Sequence, residues 1–208
     1  MYIDLFPIRI FRSKIEVNSA FLKLKPELDQ YWGDPTATHP DIGINAFTTY
    51  NQSSELHKHE YTKEIVDQLM PMINEYWKEL HLYDKLTPHI DEMWVNISRK
   101  DNSVVGHNHL PYLMNGVVYL KKGADSGNIV FENPSSLIVC LQPLGFTGST
   151  DVAFNIEKEI VVETGDVLIF PGWLRHRTLS NSADDERVVL SFNVGCTGHY
   201  PTSSYVSN

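Results

Sequence analysis

Gly106-His107-Asn108-His109, read with Phe170-Pro171-Gly172-Trp173-Leu174-Arg175-His176 far downstream, decides how this chain is organised. Residues two apart on an extended segment face the same way, so His107 and His109 can aim at one point. His176 arrives at the end of what reads as a later strand. Three ligands with an otherwise open coordination sphere describe a catalytic metal rather than a closed structural one. A narrower alternative is that only His107 and His176 bind, with water or a nearby carboxylate completing the face. Each of the three histidines lies at a strand–turn junction, which sets them apart from unrelated surface or core histidines. The remainder of the chain then reads as the barrel that joins the two segments.

Outward from this pair, residues 92–194 alternate short strands with turns, the signature of a β-sandwich or barrel. Met93–Arg99 alternates, with Trp94, Asn96 and Ser98 on one face and Met93, Val95 and Ile97 on the other. Strands are expected at 115–120, 128–132, 158–163, 167–170 and 187–194, with tight turns at 123–127 and 164–166. The 141–150 stretch, rich in Gly, Pro, Ser and Thr, reads as a mobile loop of the sort that covers a site. Upstream, a first strand is expected over 2–12 and a helix over 16–32 that Pro26 kinks or restarts. Residues 33–52 read as a loop with one short strand at 44–49. The clearest helix spans about 54–80, with an apolar stripe of Ile65, Leu69, Met72, Ile73, Trp77 and Leu80 that Pro71 is expected to break or bend. The His57-Lys58-His59 pair opens that helix. Residues two apart on a helix diverge, so it reads as a solvated entrance and not as a metal site.

The whole chain, 1–208, is expected to be one domain: a strand and helical support over 1–91, a β-barrel core over 92–197 and a polar tail over 198–208. A hydrophobic fraction of 42% and a charged fraction of 21% suit an ordinary globule. The formal net charge of −9 argues against nonspecific nucleic-acid binding, which depends on neutralising phosphates with Lys and Arg. Two cysteines, Cys140 and Cys196, are too few for a disulfide framework and lack metal-motif spacing. The opening Met1–Pro7 has no basic region followed by an apolar run, and no apolar run approaches membrane-spanning length. A reduced, cytoplasmic setting without membrane contact is the expectation.

Arg187 is the second anchor. It shares one strand face with Val189, Ser191 and Asn193, opposite Val188, Leu190, Phe192 and Val194. An inward guanidinium calls for an anionic partner, because an unpaired buried charge is costly. A dicarboxylate would supply one through bidentate bonding. The competing reading is a surface Arg187 paired with Asp184, Asp185 or Glu186. Tyr119, Asn96 and Trp94 are candidates for lining the same cavity, although strand aromatics are mostly core. Trp173 and Arg175, flanking His176, read as packing.

Taken together these residues resemble the 2-oxoglutarate and Fe(II)-dependent oxygenase superfamily. More narrowly, the chain is similar to bacterial and phage oxygenases distantly related to prolyl hydroxylases. The likeness runs through Trp94-Val95-Asn96, His107-Asn108-His109, Asn115 through Leu120, Ser126 through Pro134, Gly165 through Pro171, His176 and Arg187 through Asn193, and it suits the opening Leu5-Phe6-Pro7. It implies a mainly β (α+β) fold: a double-stranded β-helix, or jelly-roll, cupin-like barrel with N-terminal helices packed outside one sheet. It also implies iron held by His107 and His176, and the far carboxylate of 2-oxoglutarate held by Arg187 with support from Ser191 and Tyr119. The implied activity is a dioxygenase that hydroxylates its substrate while 2-oxoglutarate is oxidatively decarboxylated to succinate and CO2, with ascorbate as the reductant in vitro. Two departures stand out: His109 where the superfamily usually has an acid, and Val189 where a Ser often follows the Arg. Three neutral imidazoles would leave the site a full 2+ charge, where a carboxylate would reduce it to about 1+. That shifts metal preference toward zinc or copper. A three-histidine cupin-like enzyme that does not use 2-oxoglutarate, and a noncatalytic metal-binding jelly roll, are the competing functions. A peptide or small-molecule substrate fits the acidic composition better than a nucleic acid, and Tyr200 and Tyr205 leave room for a homodimer.

Overall fold

The computed structural model describes residues 7–29, 46–50, 53–82, 85–135 and 155–198. The expected 141–150 loop, most of the 33–52 segment and nearly all of the 198–208 tail lie outside the described residues. In chain order the elements are β1 (Phe11–Lys14), α1 (Asn18–Asp29), β2 (Ala46–Thr48), α2 (Lys63–Glu79), β3 (Leu86–Ser98), β4 (Met114–Lys121), β5 (Ile129–Glu132), β6 (Glu157–Ile160), β7 (Asp166–Pro171), β8 (His176–Thr178) and β9 (Arg187–Gly198).

Among the described residues nine strands form two antiparallel sheets. The larger runs β1-β7-β4-β9-β3-β2 and the smaller β6-β5-β8. β7 is apolar on both faces, as a sheet covered on both sides requires, whereas β9 is apolar on its outer face and carries Arg187, Ser191 and Asn193 on its inner one. On one face Val95, Ile97, Val118, Ile169, Leu190 and Phe192 pack with Ala20, Leu24 and Leu28 of α1 and with Ile65, Leu69, Ile73 and Trp77 of α2. On the other face Val117, Tyr119, Leu168, Phe170 and Val189 meet Ile129 and Phe131 of the smaller sheet. The helices therefore cover the outside of one sheet, and a second core fills the space between the two sheets. Strand alternation puts Arg187, Val189, Ser191 and Asn193 of β9 and Trp94, Asn96 and Ser98 of β3 toward that inner space.

Several expectations need correction. Among the described residues the first strand is Phe11–Lys14, where it pairs with β7; residues 7–10 are not strand, and 2–6 lie outside the described residues. The 54–80 helix enters through two 3-10 turns, Leu56–Lys58 and Glu60–Thr62, and becomes α-helical only at Lys63. Pro71 does not break α2, nor Pro26 α1. Both prolines are exposed, so the carbonyl each deprives of a partner lies on the solvent side, where water serves it. The 158–163 strand closes at Ile160. His176 does not end a strand but opens β8, a three-residue strand too short to leave a periodic signal.

Leu190 has no exposure at the centre of the larger sheet, whereas Leu22 of α1 is 70% exposed. Leu190→Ala should lower unfolding free energy by about 2–5 kcal/mol, and Leu22→Ala by no more than about 0.5 kcal/mol. Urea denaturation of the two variants checks the contrast.

Candidate metal centre

The smaller sheet continues past β8 through the segment that carries the histidine pair. His107 N–H donates to His176 O at 3.0 Å, and His176 N–H returns the bond to His107 O at 3.0 Å. Beside this reciprocal pair, His109 N–H donates to Gly172 O at 2.8 Å and Thr178 N–H to Val104 O at 3.1 Å. A side chain at position 172 would overlap the Tyr112 carbonyl, so this close approach requires glycine. The 104–109 segment is thus laid against β8 by its own backbone.

Hydrogen bonds to the rings set their direction. His107 Nδ1 lies 2.9 Å from Val105 O, and His176 Nδ1 lies 2.9 Å from Leu174 O. A carbonyl only accepts, so each Nδ1 carries the proton and each Nε2 keeps its lone pair. The same fixing of the distal nitrogen accompanies metal-ligating histidines generally. One ligand atom from each of His107, His109 and His176 lies within 4.8 Å of the others. Ring centroids are 4.5 Å apart for His107 and His176, 5.0 Å for His107 and His109, and 5.2 Å for His109 and His176. Among the described residues this trio is the one grouping of that kind. His57 and His59 are not part of one: His57 is half-buried in a 3-10 turn, and the ring of His59 stacks on Tyr61.

Burial, and next the positive fields of His107 and His109, push His176 well below the ordinary histidine value. Its ring is therefore neutral at pH 7. Phe170 meets it edge-on at 4.7 Å, and Trp94 stacks against His109 at 5.8 Å. The donor set is three nitrogen ligands, two of them held in one tautomer, and such a set suits a divalent transition metal with open positions.

The trio lines a cavity of about 230 Å³ that also reaches Asn96, Tyr119, Arg187 and Ser191. The four residues expected to accompany the histidines thus share one space with them. Arg187 is 1% exposed and is not a surface ion pair. Asp184 bonds Lys100, Asp185 bonds Lys121, and Glu186 lies 3.5 Å from Arg99. Nη1 of Arg187 donates to the carbonyls of Ser126 at 2.6 Å, Leu179 at 3.1 Å and Gly127 at 3.2 Å, while Nη2 donates to Thr178 Oγ1 at 2.9 Å and Ser98 Oγ at 3.2 Å. These neutral acceptors satisfy its protons but not its charge. Burial accordingly pulls its pKa below the ordinary arginine value. Gly127, at φ 77°, makes the seat: a Cβ there would strike Leu179 O and the guanidinium. Tyr119, also fully buried, is raised far above a free phenol by desolvation, so it stays a neutral hydroxyl. Ser191 Oγ accepts from Asn96 Nδ2 at 3.4 Å.

Thr178 was missed in the sequence. It is two residues from His176 and lines the same cavity. Its Oγ1 accepts from both Val104 N–H at 2.8 Å and Arg187 Nη2 at 2.9 Å, which leaves its own proton to donate. Once β8 is recognised as a strand, the spacing of two would have revealed it.

Residues 92–193, just under half of the chain, match the family model described as "Putative 2OG-Fe(II) oxygenase". Over that span the chain matches the 2-oxoglutarate- and Fe(II)-dependent oxygenases. The matched span holds every histidine of the trio and Arg187. Among solved structures, a prolyl-4-hydroxylase from Pseudomonas putida is similar at TM-score 0.60 and 12% identity, covering 89% of this chain and 92% of that one. HygX from Streptomyces hygroscopicus, crystallised with nickel and 2-oxoglutarate, is similar at TM-score 0.58 and 13% identity, covering 90% and 83%. The epimerase SnoN of nogalamycin biosynthesis, in complex with Fe3+, alpha ketoglutarate and nogalamycin RO, gives TM-score 0.62 and 9% identity, covering 95% and 84%. No curated protein sequence matches. At these identities the structural likeness establishes the double-stranded β-helix fold, and the family model establishes an enzyme of the non-haem iron oxygenase type. Among the described residues no helix is long and apolar enough to cross a membrane.

Thr178→Val removes an acceptor from two donors at once, the half-buried Val104 N–H and the buried Arg187. It should lower unfolding free energy by about 1–3 kcal/mol, and Thr178→Ser should restore most of that loss. Denaturant midpoints of the three proteins are the check.

Proposed function

We propose that this chain is a 2-oxoglutarate-dependent Fe(II) dioxygenase that hydroxylates a C–H bond of a small-molecule or peptide substrate. His107, His109 and His176 would hold the metal, and Arg187, with Tyr119, Ser191, Asn96 and Thr178, would hold the co-substrate. One observation carries the reading. Three converging imidazoles and a buried guanidinium with no carboxylate beside it among the described residues share one cavity.

Bound iron with 2-oxoglutarate and dioxygen supplies the oxidising power for hydroxylation, releasing succinate and CO2. The chain's own part is positioning. The carbonyls of Val105 and Leu174 hold two imidazoles with their Nε2 lone pairs turned inward. Arg187 offers its charge to the distal carboxylate, and the free proton of Thr178 gives that carboxylate a further hydrogen bond. Tyr119, kept neutral, is a donor that does not repel an anion. Val117, Ile129 and Val189 wall the cavity with apolar surface, which limits water at the reacting end. With His109 in the usual acid's place, the three neutral imidazoles would leave a bound metal its full charge, which an anionic co-substrate would help to offset. The few cysteines suit a reducing, cytoplasmic compartment. The acidic surface disfavours nucleic acid as substrate.

His109 also keeps a second reading alive, that of a three-histidine metalloenzyme working without 2-oxoglutarate. Calorimetry separates the two. Metal-loaded protein should bind 2-oxoglutarate, and Arg187→Met should weaken that binding by at least about 30-fold, since among the described residues it removes the one Lys or Arg lining the cavity. His107→Ala and His176→Ala should each abolish Fe(II)-dependent succinate formation and metal retention after dialysis. Stoichiometric metal binding without any heat from 2-oxoglutarate would instead favour the second reading.

A further inference from the structure

We propose that the end of the cavity opposite Arg187 binds an ammonium or guanidinium group, so that the substrate is an organic cation. The inference deepens the oxygenase reading by naming its substrate class, and it rests on that reading for the identity of the cavity. Its origin is a β-bulge. The β3–β9 ladder shifts register between Ile90 and Glu92. Ile90 packs on the helix-side core, whereas Trp94 and Asn96 line the cavity. In a regular strand all three would share a face. The extra residue, Asp91, reverses the parity and leaves Glu92 on the cavity side of β3, just beyond the lining residues Trp94 and Asn193, with Asp91 beside it.

Register then sets Glu92 opposite Asn193, and Asn193 opposite Asn115. Asn193 Nδ2 donates to Glu92 Oε2 at 2.7 Å. A carboxylate only accepts, so this bond fixes the amide with its oxygen turned away from Glu92. Asn193 and Asn115 are 3% and 1% exposed, both line the cavity, and the amide oxygen of each has no partner. Buried polar atoms are otherwise nearly always satisfied. Among the described residues neither acid forms an ion pair with Lys or Arg. Asp91 accepts from the Tyr112 hydroxyl at 2.9 Å and lies 3.9 Å from His89. The row therefore offers acceptors and negative charge, and wants donors and positive charge.

Aromatic rings complete the surface. Tyr50, Trp94 and Tyr112 line the cavity, and Tyr50 meets Trp94 edge-on at 4.9 Å. Aromatic faces beside carboxylates suit an alkylammonium or guanidinium, which gains cation–π attraction and charge-assisted hydrogen bonds together. A hydroxyl or carboxylate in that place would leave the acids uncompensated or repelled. The two ends of the cavity are thus complementary in sign: a cation of the protein at one, and a cation of the substrate at the other.

The test is calorimetric titration of the full chain, loaded with Ni(II) and 2-oxoglutarate, with cadaverine and agmatine, and with 1,5-pentanediol and glutarate as neutral and anionic comparators. At least one cation should bind tenfold or more tightly than pentanediol, with glutarate weakest. Glu92→Gln, which keeps size and an acceptor for Asn193, should erase most of that preference while Ni(II) stoichiometry stays unchanged. Asp91→Asn, at an exposed position, should reduce it in the same direction. Equal binding of cadaverine and pentanediol, or an undiminished preference in Glu92→Gln, overturns the proposal. Failure of Ni(II) or 2-oxoglutarate to bind counts against the oxygenase reading alone, and the amine titration of metal-free protein then still decides this one.

Discussion

Two backbone hydrogen bonds, exchanged between His107 and His176, are the constraint from which the rest of the site follows. They pin an irregular segment to a three-residue strand, and they do so at the two residues whose rings must meet. Side-chain rotamers alone could not hold three imidazoles together, because neutral rings gain little from each other's company and lose freedom by converging. Here the main chain carries that cost, and the Nδ1 bonds to Val105 and Leu174 remove what rotational freedom remains. The larger sheet contributes Arg187 on a strand whose opposite face is locked into the helix-covered core. The three imidazoles and the guanidinium of Arg187 are thereby fixed with respect to each other, as a preorganised site requires.

The guanidinium is the more instructive of the two. Its protons are largely occupied by carbonyls and hydroxyls, yet among the described residues no carboxylate bonds it to cancel its charge. A structural arginine in so dry a place would ordinarily be matched by an acid. Asp184, Asp185 and Glu186, next to it in sequence, instead turn outward to Lys100, Lys121 and Arg99. That arrangement leaves the charge available for a ligand and explains why so much of the local backbone, Gly127 included, is devoted to seating it.

Much of this was legible in the sequence because strand alternation is a strict rule. The faces assigned to Trp94, Asn96 and Ser98, and to Arg187, Val189, Ser191 and Asn193, line the cavity as read. What escaped was short or irregular. β8 spans three residues, so Thr178 went unnoticed although it sits two places from His176. The bulge at Asp91 breaks the parity that sequence reading relies on, so Glu92 was not connected with the site. Pro26 and Pro71 leave α1 and α2 unbroken because each stands off the buried stripe of its helix, so the missing N–H falls on an exposed face. The choice between a surface and an inward Arg187 depended on where three neighbouring acids point, which only coordinates reveal.

The most direct measurement is a crystal structure of the chain grown anaerobically with Fe(II) and 2-oxoglutarate, with anomalous scattering recorded at the iron edge. The account expects one anomalous peak within bonding distance of His107, His109 and His176, and a five-carbon dicarboxylate running from it to the guanidinium of Arg187. A peak ligated by two of the rings with His109 turned away would contradict the three-histidine centre. A dicarboxylate that leaves Arg187 untouched would contradict the role given to the buried charge.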